Sequence, residues 1–103
     1  MGYDINLIHP DTPSNNIGSI TYNISPMYCK AFNGNWKDIV NYKLCKDAQP
    51  LINKAIDNME ANPEDYKKLE PENKWGTYEQ ALSFLKELED ECKDYPNMRI
   101  NIF

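Results

Sequence analysis

A chain of 103 residues has the size of one ordinary domain built on one hydrophobic core, so a single domain over residues 1–103 is expected. Its 41% hydrophobic and 26% charged residues exclude a chain too polar to collapse, and no apolar run reaches the ~18 residues of a membrane helix. A net charge of -5 with a pI of about 4.7 excludes generic DNA or RNA binding, which needs a basic surface.

Residues Tyr3 to His9 alternate, with Tyr3, Ile5 and Leu7 on one side and Asp4 and Asn6 on the other, until Pro10 stops the run. This predicts a half-buried first strand. The turn formers from Pro10 to Gly18 predict a loop. Alternation returns from Ser19 to Ile24, with Ile20, Tyr22 and Ile24 opposite Thr21 and Asn23, and predicts a second strand. Ser25 as a cap and Pro26 at the first position open a helix of about two turns that Asn33-Gly34 ends. Trp36 to Lys43 reads as an irregular connection.

Ala48, Leu51, Ile52, Ala55, Ile56 and Met59 recur at helical spacing up to Asn62, with Pro50 expected in the first turn where its missing N–H costs nothing. Asn62-Pro63-Glu64-Asp65 opens a short helix that Pro71 ends. Thr77 and Gln80 form a capping box for a helix carrying Tyr78, Ala81, Leu82, Leu85, Leu88, Cys92 and Tyr95 on one stripe. Met98, Ile100 and Ile102 alternate with Arg99, Asn101 and Phe103 as a C-terminal strand. The expected fold class is α+β: a three-stranded, mainly antiparallel sheet, elements in the order β-β-α-α-α-α-β, with helices packed on one face.

Catalytic chemistry has little to stand on. The one histidine, His9, has no aligned serine or cysteine nucleophile, and solvation at a strand end explains it; a small enzyme using His9 with Asp4 or Asp11 is the corresponding active reading. Cys29, Cys45 and Cys92 lie far apart in sequence without a CxxC pattern, and read as reduced, buried thiols in a cytosol. The N-terminal residues have neither the basic nor the apolar region of a secretory signal, which agrees with a cytoplasmic location. Glu89-Asp90-Glu91 fan around a helix instead of converging on a metal, and the four scattered glycines form no phosphate loop. No metal or cofactor is expected.

Binding has more to stand on. Alternation sets Asp4 and Asn6, Thr21 and Asn23, and Arg99 and Asn101 on the outer face of the sheet, where asparagine is an unfavourable strand residue. The plain reading is a solvated sheet face; the functional one is a rigid array of donors and acceptors for a partner, a small polar ligand or a second copy of the chain. The aromatic residues Tyr22, Tyr28 and Trp75, with Thr77 at a helix start, either close the core or wall a pocket for a planar ligand. The acidic stretch from Glu64 to Asp94 is either a solvated helix face or a surface for a basic partner or a nucleic-acid-binding protein.

Three segments carry a resemblance: Tyr3-Asp4-Ile5-Asn6-Leu7, Ile20-Thr21-Tyr22-Asn23-Ile24-Ser25-Pro26-Met27-Tyr28 and Asn73-Lys74-Trp75-Gly76-Thr77-Tyr78. In order along the chain they resemble a family of small uncharacterised phage and bacterial proteins with a YDIYL…ITYNYSPMF…NGWGTY-like pattern. Asn6 stands where the pattern has tyrosine and Lys74 where it has glycine. The resemblance implies no activity; it implies a context, a phage accessory protein that binds and inhibits a host factor, including one of anti-phage defence. A sponge for a nucleotide immune signal is the alternative it leaves open.

Overall fold

In a computed structural model that describes residues 2–9, 12–73 and 75–103, and only the backbone of Thr12, Pro13 and Asn15, the N-terminal alternation becomes strand β1 (Gly2–His9). Ile5 and Leu7 are buried on one side while Asp4 and Asn6 face the other. β1 is the middle strand of an α+β fold. It pairs antiparallel with β2 (Thr12–Thr21) on one side and with β3 (Arg99–Ile102) on the other, giving the order β2-β1-β3. Ile100 and Ile102 of β3 are buried beside Leu7 and Ile5.

β2 corrects the loop expected from Pro10 to Gly18. Asparagine and serine disfavour strands intrinsically, but β1 offers a ladder of backbone partners, and this tertiary pairing outweighs propensity. Pro10 and Asp11, part of the expected loop, lie outside the described residues. The register shifts within β2: Gly18 opposes Ile5, yet Asn16 opposes Asn6, so Ile17 is the extra residue of a bulge.

The expected second strand also ends early. After Thr21 the residues Tyr22–Ile24 form a single 3₁₀ turn, because the Thr21 hydroxyl accepts from the Asn23 backbone N–H at 3.3 Å and bends the chain out of the sheet. Helix α1 (Ser25–Phe32) follows directly and ends at Asn33, which is left-handed at φ 57°. Ser25 is its first residue and does not cap it; its hydroxyl lies 3.3 Å from the Tyr3 hydroxyl instead.

The connection expected as irregular contains a one-turn helix, α2 (Trp36–Val40), whose first and last residues are both buried. So short a helix gives no periodic signal. α3 (Cys45–Ala61) begins three residues before the expected Ala48, which moves Pro50 beyond the first turn. The bond this proline cannot make would end on the carbonyl of Lys46, an exposed residue within reach of water. Leu51, expected in the buried stripe, is exposed at its margin.

The short α4 (Pro63–Lys67) has no side-chain cap, since Asn62 donates back to the Asn58 carbonyl. α5 (Tyr78–Asp94) has the expected capping box: Gln80 N–H to Thr77 Oγ1 at 3.2 Å and Thr77 N–H to Gln80 Oε1 at 3.1 Å. It buries Tyr78, Ala81, Phe84, Leu85, Leu88 and Cys92, while Leu82 is half-buried and Tyr95 exposed.

Helices and the sheet's inner face share one buried cluster. Trp36 is its aromatic centre, with the rings of Tyr3 and Tyr28 each at 5.0 Å and edge-to-face. The Tyr28 hydroxyl donates to the Ala81 carbonyl at 2.8 Å, and the Tyr78 hydroxyl to the Met59 carbonyl at 2.8 Å. Cys45 and Cys92, distant in sequence, meet where α3 and α5 pack. A hydrogen bond from the Cys92 thiol lowers the pKa of Cys45, and the donation together with burial raises that of Cys92.

Burial raises the pKa of Tyr28 well above the ordinary 10.0, and desolvation raises those of Tyr66 and Tyr78. The folded chain holds these protons more tightly than the unfolded one. These three tyrosines therefore add no pH dependence to stability below pH about 10 and lower it as pH rises beyond. Denaturant midpoints measured across this range should decline steeply, with a tyrosine ionisation in near-ultraviolet absorbance that appears only as the protein unfolds; Tyr28→Phe should soften the decline.

Candidate binding surfaces

The outer face of the sheet follows from strand alternation. Asn6 in β1 has Asn16 of β2 on one side and Asn101 of β3 on the other, so three asparagines form a row across the strands. Asn16 Nδ2 donates to Asn6 Oδ1 at 2.9 Å. Asn101 Oδ1 is buried and has no hydrogen-bond partner among the described residues. Beside this row Ser19 Oγ donates to Asp4 Oδ1, and Arg99 Nη1 donates to the Tyr42 carbonyl at 2.8 Å. Phe103, paired with Asp4 through the backbone, stands exposed at the rim of the same face.

The expected array thus has Asn6, Arg99 and Asn101 on one face, but Asn23 does not belong to it. The 3₁₀ turn removes Asn23 from the sheet. Asn16 takes the corresponding place, and sequence reading missed it because it lay in a presumed loop and because the bulge at Ile17 reverses the parity of everything before it. Gly18, at φ 146° beside the bulge, is the sequence signal that marks it.

A second surface forms where the 3₁₀ turn meets the start of α5. Gly76, at φ 103°, packs so closely that a Cβ there would lie 2.8 Å from Ile24 Cγ2 and 2.9 Å from Thr21 Cγ2. Two of the segments that carry the family resemblance therefore touch; Lys74, within one of them, lies outside the described residues. Tyr22 is exposed against the Tyr3 ring at 4.5 Å, and Trp75 is 69% exposed instead of closing the core. Thr77 is committed to capping α5. Tyr28 has no access to solvent at all, which corrects its assignment to a ligand pocket.

A hollow of about 640 Å³ opens beside this contact, with Ser19, Thr21 and Ile24 on one side and Gln80, Phe84 and Glu87 on the other. A smaller one of about 260 Å³ continues along β2 to Asn16 and Ile17, walled by Glu87, Asp90 and Glu91. The helix start next to it is already supplied with an anion: Glu70 Oε2 accepts from the Tyr78 N–H at 2.7 Å, and the capping box uses the Gln80 N–H.

His9 is half-buried and pairs with Thr12 at the hairpin end. It lies at the opposite parity to Asp4 along β1, so the two point to opposite sides of the sheet; Asp11 lies outside the described residues. Among the described residues no group of His, Cys, Asp and Glu is arranged to hold a metal ion, and no helix is long and apolar enough to cross a membrane. Compared with known proteins, the chain matches no family model, no curated protein and no solved structure.

Gly76→Ala should cost about 1–3 kcal/mol, combining a left-handed backbone with overlap against Thr21 and Ile24. Thermal melts would check this; an unchanged midpoint would mean that the two segments are not pressed together as described.

Proposed function

We propose that this chain is a non-catalytic phage accessory protein that binds and inhibits a host protein, including a component of anti-phage defence, through the outer face of its sheet. The observation that carries the reading is the asparagine row, and within it the buried Asn101 Oδ1, which has no hydrogen-bond partner among the described residues. An orphaned buried acceptor costs about 1–3 kcal/mol, a penalty that a partner's donor would relieve once the half-buried Asn101 side chain turns outward. The backbone of three paired strands holds the row rigidly, so little side-chain freedom is lost on binding. The resemblance to small phage and bacterial proteins supplies the biological setting.

Sequestration of a nucleotide finds less support. Its aromatic wall would need Tyr28, which is buried, and its phosphate would compete with Glu70 at the start of α5. An enzyme built on His9 with Asp4 would have its two groups on opposite sides of the sheet.

Asn101→Leu separates binding from folding. Removing an unpartnered acceptor should leave thermal stability unchanged or raised, while recovery of the partner from host lysate by tagged protein should drop at least tenfold relative to wild type, and further with Asn6→Leu added. Equal recovery by wild type and the double variant, or a wild type that recovers nothing, would sink the reading.

A further inference from the structure

The two edges of the sheet differ in a way that neither the asparagine face nor the family resemblance explains. Along β3, residues 41–45 act as a short additional strand: the Tyr42 N–H donates to the Ile100 carbonyl at 2.7 Å, the Ile100 N–H to the Lys43 carbonyl at 2.9 Å, and the Cys45 N–H to the Met98 carbonyl at 2.7 Å. Asn41 Oδ1 accepts from the Ile102 N–H at 2.8 Å and completes the cover. Along β2, among the described residues, no backbone group pairs with the far edge.

The backbone direction at that edge can be worked out. Asp4 exchanges both its backbone bonds with Phe103 on the β3 side. Successive residues of an antiparallel strand direct their N–H and C=O to alternate sides, so Ser19, which opposes Asp4, directs both groups to the free edge. Beyond the bulge, Asn16 opposite Asn6 does the same. From Ser14 to Thr21 the strand carries neither proline nor lysine, the residues that usually blunt an open edge.

The two hollows lie in line along this edge, and α5 forms their other wall. From Gln80 to Glu91 the helix advances about 16 Å, and β2 covers about the same length from Asn16 to Thr21. The groove has room for one extended segment of five or six residues. Its floor is apolar, with Ile20, Ile24 and Phe84, and its helical wall carries Glu79, Glu87, Asp90 and Glu91. Among the described residues no lysine, arginine or histidine lines it, and none of these four carboxylates has a salt-bridge partner; Lys86 and Lys93 are paired elsewhere, with Glu60 and Glu89.

We infer that the β2 edge binds an extended, cationic segment of another protein by strand addition, with lysine or arginine at alternate positions directed at α5. Backbone bonds to Ser19 and Asn16 supply the register. The aliphatic stems of the basic side chains cover Ile20, Ile24 and Phe84, and their charged heads reach Glu87, Asp90 and Glu91. A second copy of this chain is a poor occupant, because pairing two β2 edges brings two acidic walls to the same side of a joined sheet. This edge shares Asn16 and Ser19 with the asparagine face but uses their backbone groups, not their side chains, and the proposal does not depend on that reading.

The test uses the intact chain with three capped octapeptides: alternating lysine and valine, the same peptide N-methylated at every residue, and alternating glutamate and valine. The lysine peptide should bind, weaken as salt is raised, and shift the backbone amide signals of residues 16–21. The other two should bind at least tenfold more weakly. Glu87→Lys combined with Asp90→Lys, both at exposed positions, should lower affinity for the lysine peptide at least tenfold without changing the melting midpoint, and Asn101→Leu should leave it unchanged. Equal binding of the N-methylated peptide would reduce the effect to charge attraction and overturn strand addition. So would absence of binding, amide shifts confined to residues outside 16–21, or a concentration-dependent dimer that Ser19→Pro abolishes, which would assign the edge to a second copy.

Discussion

The hydrogen bond from the Tyr28 hydroxyl to the Ala81 carbonyl spans the core between α1 and α5, and the groove beside β2 depends on where it holds α5. The Tyr28 ring packs on Trp36, and Trp36 packs on Tyr3 of β1. One chain of contacts therefore ties the sheet to α2, α1 and α5. With α5 fixed in this way and packed against α3, its first turn lies against the 3₁₀ turn through Gly76, and its outer flank runs beside β2.

The helices were largely legible because amphipathic periodicity and caps are local. The stripe of α3, the capping box of α5 and the C-terminal strand are properties of neighbouring residues, and each formed where its pattern lay. β2 was not legible, because Ser14, Asn15 and Asn16 have no intrinsic preference for a strand and become one only by pairing with β1. Asn23 was misassigned for a related reason: alternation from Ser19 to Ile24 looks the same whether the chain continues straight or is turned by the Thr21 hydroxyl. The asparagine row is affected by both, since its third member, Asn16, sits behind a bulge that alternation does not show and that only Gly18 marks.

The acidic residues of α5 show how much spacing can say alone. Glu89, Asp90 and Glu91 were expected to fan around the helix, and they do so with different outcomes. Glu89 turns inward, where it is nearly buried and accepts from Gln49 Nε2 at 3.0 Å, with Lys93 Nζ 3.8 Å away. Asp90 and Glu91 turn to the groove. Helical geometry set the divergence, but only the position of β2 makes one branch core and the other a wall.

An open sheet edge is a liability that a stable chain must manage. At β3 the solution is cover, provided by residues 41–45. At β2 it is a row of carboxylates that repels another copy of the same acidic chain while leaving the backbone groups of Ser19 and Asn16 available. Electrostatic exclusion of this kind is selective in sign, unlike a proline or a covering helix, which would block every strand alike. On this proposal the carboxylates that disfavour pairing with another acidic copy are the ones that favour a cationic strand, so self-exclusion and recognition would rest on one set of side chains.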